Sequence, residues 1–491
     1  MELPDWVEKH KTTGYEVKKI GNGYYLYRMK SRWDKNKKKS VKAAGEYIGV
    51  IKPEGLIRRK ERIDMGKPVF SLEYGATAFI LSISEDILVS LKEVFPAKMA
   101  EEIYAVSILR LISPCPFRRV GDHYQTSWLS QHYPGLRLSK TSITKLIDDV
   151  GNDRRSCAAF MRNTMQPAPY MLVDGSRVTS KSEGMMRALP GHDKNKKFLP
   201  QLNQIYIASV SEAGDTMPIF YRNVAGNMPD IIAFERTMED AGIENAIILA
   251  DTGFASGCNF SELEDPDHNL KYIVPLKRDT KGVNLEKVTL KEHFTYNGRL
   301  ISGQSMIHDG YRICVFRDTK MAAKELYDLV GRIEKANDSA MHRKSFNPDT
   351  DLRNASTEVA ANEKESGIII FRTNLMDNPT SYIYLTYKIR WDIELLFKTL
   401  RDTCEQDCSY MRDDIGFEAW SFFSHISIMI ACRILAILRK LDLLKEYSLE
   451  GLLDYLSRIH TVQIANQWRI AETTKKTRDL VESLGFVMSL E

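Results

Sequence analysis

Beyond Pro169 the chain runs through short apolar or alternating segments, YMLVDGSRV, QIYIASVSE and TMPIFYRNV, then a helical stretch around Ile231 to Ala241, then AIILADTGF and KYIVPLKR. Runs of strands followed by strand–helix alternation predict a mixed α/β sheet with helices packed on it. At 491 residues the chain is too long for one hydrophobic core, and three or four folding units are expected. Strand-like segments resume from about Arg278 to Tyr311, and the polar stretch from Arg343 to Glu365 reads as a loop or link. GIIIFRTN then forms a last strand before a further helix.

Helical patterns flank this region. SISEDILVSLKEVF and AEEIYAVSILRLI, between Leu72 and Met165, have helical spacing, with Ser84 and Asp86 near a helix start. Leu138 to Val150, LSKTSITKLIDDV, entered through Ser139, reads either as the second helix of a helix-turn-helix or simply as a connector. From about Cys408 onward the pattern is helical again. Its largely apolar stretch Ala419 to Cys432 is 14 residues long, too short to span a bilayer, so a buried core helix is expected.

Charge is unevenly distributed. The whole chain carries +4, yet Tyr15 to Lys42 holds ten Lys and Arg against two acids, so this stretch is +8 and the remainder −4. Two-residue periodicity and the Gly21-Asn22-Gly23 and 34–39 turns predict a small antiparallel sheet over residues 14–51. Arg28, Lys30 and Arg32 alternate with Tyr27, Met29 and Trp33, giving one basic face and one that can pack. With Lys37, Lys38 and Lys39 these cations form an electrostatic footprint for a polyanion, most simply nucleic acid; the bland alternative is a solvated edge. The start, MELPDWVEKHK, has no apolar core of a signal peptide. Seven scattered cysteines without zinc spacing predict a reducing compartment and no structural zinc.

Tyr387 to Arg401, YKIRWDIELLFKTLR, divides two chemistries between the sides of one helix. At about 100° per residue, Tyr387, Arg390, Glu394, Lys398 and Arg401 fall within an arc of about 80°, with Ile389, Ile393, Leu396, Phe397 and Leu400 on another side. Such a stripe is often merely the wet face of an amphipathic helix, so it needs partners elsewhere. Two aspartates supply them: Asp174 follows Tyr170 to Val173 and precedes Gly175, and Asp251 follows AIILA and precedes Thr252. Each is expected at a strand end, where a carboxylate needs a metal, hydrogen bonds or a counter-charge, although Asp before Gly is also ordinary turn chemistry. Three carboxylates, two from strand ends and one from a helix on the same sheet, suit Mg²⁺ ions and phosphoryl transfer.

Asp174 in VDGS, Asp251 in ADTGF and Glu394 in Y-x2-R-x3-E resemble the three acids of the DDE transposases of the insertion-sequence-4 superfamily. Tyr387, Arg390 and Glu394 match the helix signature of that superfamily; its Lys, separated from the Glu by six residues, is replaced by Arg401, with Lys398 one turn earlier as a candidate to share the role. The gap of 143 residues from Asp251 to Glu394, against 77 from Asp174 to Asp251, resembles the strand-rich insertion of the same superfamily, and GNMPD (226–230) resembles its motif before a helix. The resemblance spans roughly Pro169 to Cys408. It implies an α/β fold: an RNase H-like core (166–277 and 366–407) interrupted by a strand-rich insertion and loop (278–365). Around it are expected a basic β-rich DNA-binding region (1–70), a helical DNA-binding or connector region (71–165) and a C-terminal helical region (408–491).

The implied activity is cut-and-paste DNA transposition. Asp174, Asp251 and Glu394 would bind Mg²⁺, with Mn²⁺ as a substitute, while Tyr387, Arg390, Lys398 and Arg401 grip phosphates of the DNA end. A homodimer would bind terminal inverted repeats and target DNA in a synaptic complex, in the cytoplasm at the nucleoid, without a membrane. Two other readings share these residues: a stand-alone Mg²⁺ nuclease, and a non-catalytic DNA-binding protein descended from a transposase.

Overall fold

The computed structural model describes residues 3–490 except 35–37, 59–69, 193–197, 213, 229, 256–259, 262, 267–268, 281–284, 286–287, 309, 343–356, 358, 361, 391–407 and 465. Two compact units emerge: Met1–Phe70 with Ile464–Gln467, and Ser71–Gln463 with Trp468–Glu491.

The smaller unit is a four-stranded antiparallel sheet of Tyr15–Ile20, Gly23–Asp34, Lys39–Lys52 and Gly55–Arg58, in sequence order. The first hairpin closes through Gly21, at φ +58°, a left-handed conformation that glycine adopts without the usual penalty. Val7, Leu26 and Ile51 form its core, and Trp6 packs edge-on against Tyr24, ring centroids 5.4 Å apart. The expectation that Tyr27, Met29 and Trp33 turn inward fails for the last two: Met29 is 43% and Trp33 62% exposed. The cause is topological. Tyr15–Ile20 pairs as far as Arg28, and Gly55–Arg58 with Gly49–Lys52, so among the described residues no third strand covers the far half of the long hairpin.

In the larger unit the described residues include an 11-stranded mixed sheet. Across it run Glu292–Tyr296, Arg299–His308, Tyr311–Asp318, Ile368–Thr373, Lys271–Leu276, Ile247–Leu249, Tyr170–Ser180, Phe198–Val210 and Leu189–His192; Thr216–Ala225 also pairs with Phe198–Val210, and Cys408–Ser409 with Tyr170–Ser180. Ile247–Leu249 is parallel to both Tyr170–Ser180 and Lys271–Leu276. Phe198–Val210 is antiparallel to both the Tyr170 and the Thr216 strands, and Ile368–Thr373 returns antiparallel to Lys271–Leu276. The strands expected after Arg278 therefore continue this same sheet.

Helices Gly75–Val94, Ala97–Ile112, Lys140–Asn152, Arg154–Asn163 and Asp230–Ala241 are joined by a long helix, Asp414–Lys440. Ser139 caps Lys140–Asn152 by accepting the Ser142 N–H, as its sequence predicts, and Ile143, Leu146 and Val150 are buried. Gly151 lies so close to the long helix that a Cβ would come 2.1 Å from the Ile415 carbonyl oxygen. Asp414–Lys440 is long and apolar enough to cross a membrane, yet 78% of its apolar window is buried inside the protein, with Trp420, Phe422, Phe423 and Ile426 in the core.

One carboxylate makes this helical layer sensitive to pH. Glu73 accepts the Ala76 N–H (2.8 Å), the Thr77 N–H (3.3 Å) and the Thr77 hydroxyl (2.5 Å) at the start of Gly75–Val94. Desolvation outweighs those bonds and pushes its pKa up to about 7. The folded protein thus holds this proton more tightly than the unfolded chain, so the associated stability is full below the ordinary carboxylate range and falls as pH rises to about 7. A shift of this size corresponds to about 3 kcal/mol. Glu73→Gln should remove that dependence: the melting temperature of the variant relative to wild type is expected to rise from pH 5 to pH 8, and a constant difference would refute it.

Candidate active site

The strand Tyr170–Ser180 and its short parallel neighbour Ile247–Leu249 set the site. Leu172 is in register with Leu249, so Asp174 and Asp251 each stand two residues beyond one matched pair. Adjacent strands lie about 4.8 Å apart, which brings the two carboxylates to one place on the sheet. Asp251 follows its strand, as expected. Asp174 does not: its strand continues through Asp174, opposite Tyr206, to Ser180. What ends is the neighbour at Leu249, leaving the edge of the Tyr170 strand beside Asp174 without that ladder partner.

Backbone amides hold both acids. The Gly175 N–H donates to Asp174 Oδ1 at 2.9 Å, and the Thr252 N–H donates to Asp251 Oδ1 at 2.7 Å, where Asp251 caps the short 3₁₀ turn Thr252–Phe254. Arg390 then joins them: its Nη2 lies 3.6 Å from Asp174 Oδ1 and 3.6 Å from Asp251 Oδ2. The Arg390 side chain is only 11% exposed and that of Asp174 21%, whereas Asp251 at 49% faces solvent. A guanidinium equidistant from two carboxylates neutralises a repulsion that their proximity would otherwise impose.

Helix Thr380–Lys388 delivers Arg390. Pro379 starts it, suiting a position that needs no donor, and the chain leaves it through Ile389 and Arg390 by tighter bonds to Thr386 and Tyr387. The helix is fixed from both sides. Thr380 accepts from Arg312 Nη2 at 3.0 Å and donates to Glu292 at 2.5 Å, Tyr384 is buried against Phe294, Tyr296 and Phe316, and the Tyr384 hydroxyl donates to Asp318 at 3.3 Å. Toward the Asp174 strand, Tyr382 and Tyr170 bring their hydroxyls to 3.4 Å. The strands after Arg278 therefore buttress the helix that carries Arg390.

Of the residues singled out in the sequence, Asp174, Asp251 and Arg390 converge, and Tyr387 lies in the last turn of the helix with its ring 4.4 Å from that of Phe371. Glu394, Lys398 and Arg401, like Lys37, lie outside the described residues. The helix expected over Tyr387–Arg401 meets the end of a described helix, Thr380–Lys388, with Ile389 and Arg390 in a turn; the rest of that expectation lies outside the described residues. Arg28, Lys30, Arg32, Lys38 and Lys39 belong to the small unit and its long hairpin; Arg28 stands 4.0 Å from Glu46, both exposed. Sequence reasoning missed Lys277. It is exposed at the end of the next parallel strand and lines a cavity of about 580 Å³ that includes Thr252. Its signal was position, immediately after the run KYIVPL.

The donor set fits a hard divalent cation: two carboxylates are already gathered about one positive charge, and oxygen-only ligation suits Mg²⁺ better than a softer metal. No group of three His, Cys, Asp or Glu is gathered among the described residues.

The GNMPD stretch also has a structural role. A Cβ on Gly226 would lie 1.9 Å from the Gln201 carbonyl oxygen and 2.7 Å from that of Leu189. Only a residue without a side chain fits where these strands converge. Gly226→Ala should destabilise the protein by about 3 kcal/mol or more, seen as a fall in melting temperature, because both obstacles are backbone; an unchanged melt would show that the strands yield.

Residues 166–430 match the family described as Transposase DDE domain. Among solved structures, a cryo-EM structure of a piggyBac transposase synaptic complex with hairpin DNA is similar at a TM-score of 0.41 and 10% identity, over 84% of this chain and 85% of that one. No curated protein matches.

Proposed function

The chain belongs to the transposase DDE domain family, and from that membership we propose a cut-and-paste DNA transposase of an insertion sequence, of the insertion-sequence-4 type with Tyr387, Arg390, Glu394 and Arg401 as its helix signature. The observation that carries this reading is the convergence of Asp174, Asp251 and Arg390. An RNase H-like core is supported by the strand order Thr216, Phe198, Tyr170, Ile247, Lys271, three antiparallel strands followed by two parallel additions.

Asp174 and Asp251 would hold Mg²⁺, or Mn²⁺ in its place, with Glu394 as the third carboxylate. When bound, such ions activate an attacking water or 3′-hydroxyl and stabilise the leaving oxygen. The Gly175 and Thr252 amides fix the two aspartates, so little reorganisation is needed when DNA arrives. Tyr387, Arg390, Lys398 and Arg401 would position phosphates of the cleaved end, with Lys277, which lines a cavity with Thr252, supplying a further cation. The partners are terminal inverted repeats and target DNA, bound by a homodimer in the bacterial cytoplasm.

The test is incubation with the DNA that flanks its own open reading frame, with Mg²⁺ and with EDTA. Mg²⁺-dependent cleavage at the element ends is expected. Joining of a pre-cleaved end to target DNA distinguishes a transposase from a nuclease. Binding without cleavage would instead favour a non-catalytic descendant.

A further inference from the structure

The long hairpin of the small unit has a far half unlike the rest of the molecule. Lys30 to Asp34 pairs with Lys39 to Ala43, and among the described residues neither neighbouring strand extends to it. It is a two-stranded ribbon. From Lys30 to Lys42 the sequence holds seven Lys and Arg against the single acid Asp34. Lys30, Lys38 and Lys39 are exposed.

Charge alone would suit any polyanion, but two further features narrow the partner. Met29 and Trp33 lie on one side of the strand, two pleats apart, exposed by 43% and 62%. The pairing also slips between Arg28 and Lys30, and such irregularities increase the local twist and bend the strand. The paired portion, five residues at about 3.4 Å each, is roughly 17 Å long. A two-stranded ribbon fits the major groove of duplex DNA, where base edges and thymine methyl groups form the floor and phosphates line both rims. Alternation turns Trp33 to one side of the ribbon and Lys30 to the other, so the indole can meet the groove floor while the long lysine side chains reach round to the phosphates of the rims. A phosphate-only contact gives the tryptophan nothing to do.

We infer that the paired strands Lys30–Asp34 and Lys39–Ala43 enter the major groove of duplex DNA, with Lys30, Lys38 and Lys39 on phosphates and Trp33 on base edges, so that Trp33 confers sequence preference and the lysines affinity. This rests on the reading of the protein as a DNA-binding transposase.

The test uses the full chain and fluorescence anisotropy with two labelled duplexes, the terminal repeat of its own element and a scrambled sequence, across a range of salt. The triple variant Lys30→Ala, Lys38→Ala, Lys39→Ala should weaken binding to both duplexes alike and lower the log–log salt slope by about 2 to 3, since each phosphate contact contributes about 0.9. Trp33→Ala should leave the salt slope unchanged and reduce the preference for the terminal repeat at least tenfold, with Trp33→Phe restoring part of it. A major-groove blocker should compete for the terminal repeat and a minor-groove blocker should not. Unchanged affinity and slope in the triple variant, or a full preference retained by Trp33→Ala, overturns the inference. Both variants alter exposed side chains, and a wild-type melting curve confirms folding. Failure here leaves Mg²⁺-dependent cleavage of the ends intact, whereas failure of the transposase reading removes that cleavage in the wild-type protein too.

Discussion

Asp174→Asn and Asp251→Asn are each expected to slow cleavage of the element end by about 10³-fold or more, equivalent to about 4 kcal/mol of barrier, while binding of the same DNA stays within a few-fold of wild type. The amide is chosen because it preserves the local fold: an Asn oxygen can still accept from the Gly175 or Thr252 N–H that holds each carboxylate now. What it removes is the negative charge that ligates a hard cation. The two positions should behave alike, since each stands two residues beyond the same matched pair of parallel strands. Glu394→Gln is expected to give the same loss. Single-turnover cleavage of a labelled end, beside a gel shift on the same duplex, separates chemistry from binding. Wild-type cleavage by either Asn variant would sink the assignment of these carboxylates to the metal.

How much of this was legible in the sequence differs from residue to residue. The mixed sheet was, because runs such as YMLV and YIVPL are apolar throughout and a strand is the short element that buries them. The place of Asp174 was not. VDGS reads as a turn from local chemistry, yet the pairing of Asp174 with Tyr206 carries the strand on, and that pairing comes from a segment about 30 residues downstream. The exposure of Trp33 was hidden for a similar reason: alternation tells which residues share a face but not whether a third strand arrives to cover it. For Arg390 a helical wheel names the residues that share a direction and says nothing of what stands opposite, so its approach to Asp174 and Asp251 could not be read from it. Glu394, Lys398 and Arg401 stay as the sequence left them, outside the described residues.

Arg390→Ala is expected to divide the two states of the site. Without metal, the guanidinium 3.6 Å from both aspartates is the counter-charge that lets them stay close; removing it leaves two carboxylates facing each other and should cost about 2 kcal/mol of stability, visible as a lower melting temperature in EDTA. With Mn²⁺ or Mg²⁺ the sign reverses. A divalent ion competes with Arg390 for the same oxygens, so the variant should bind it about tenfold more tightly, and the metal-induced rise in melting temperature should exceed that of wild type. Cleavage should nonetheless fall, because an arginine released from the aspartates is then the cation placed to take a phosphate of the DNA end. Arg390→Lys tests the geometry. It keeps one charge but offers no planar fork, so it should recover the stability in EDTA better than it recovers cleavage. A variant with weaker metal binding and an unchanged melting temperature in EDTA would mean that Arg390 neither holds the aspartates together nor competes for them, and that its whole role lies with the DNA.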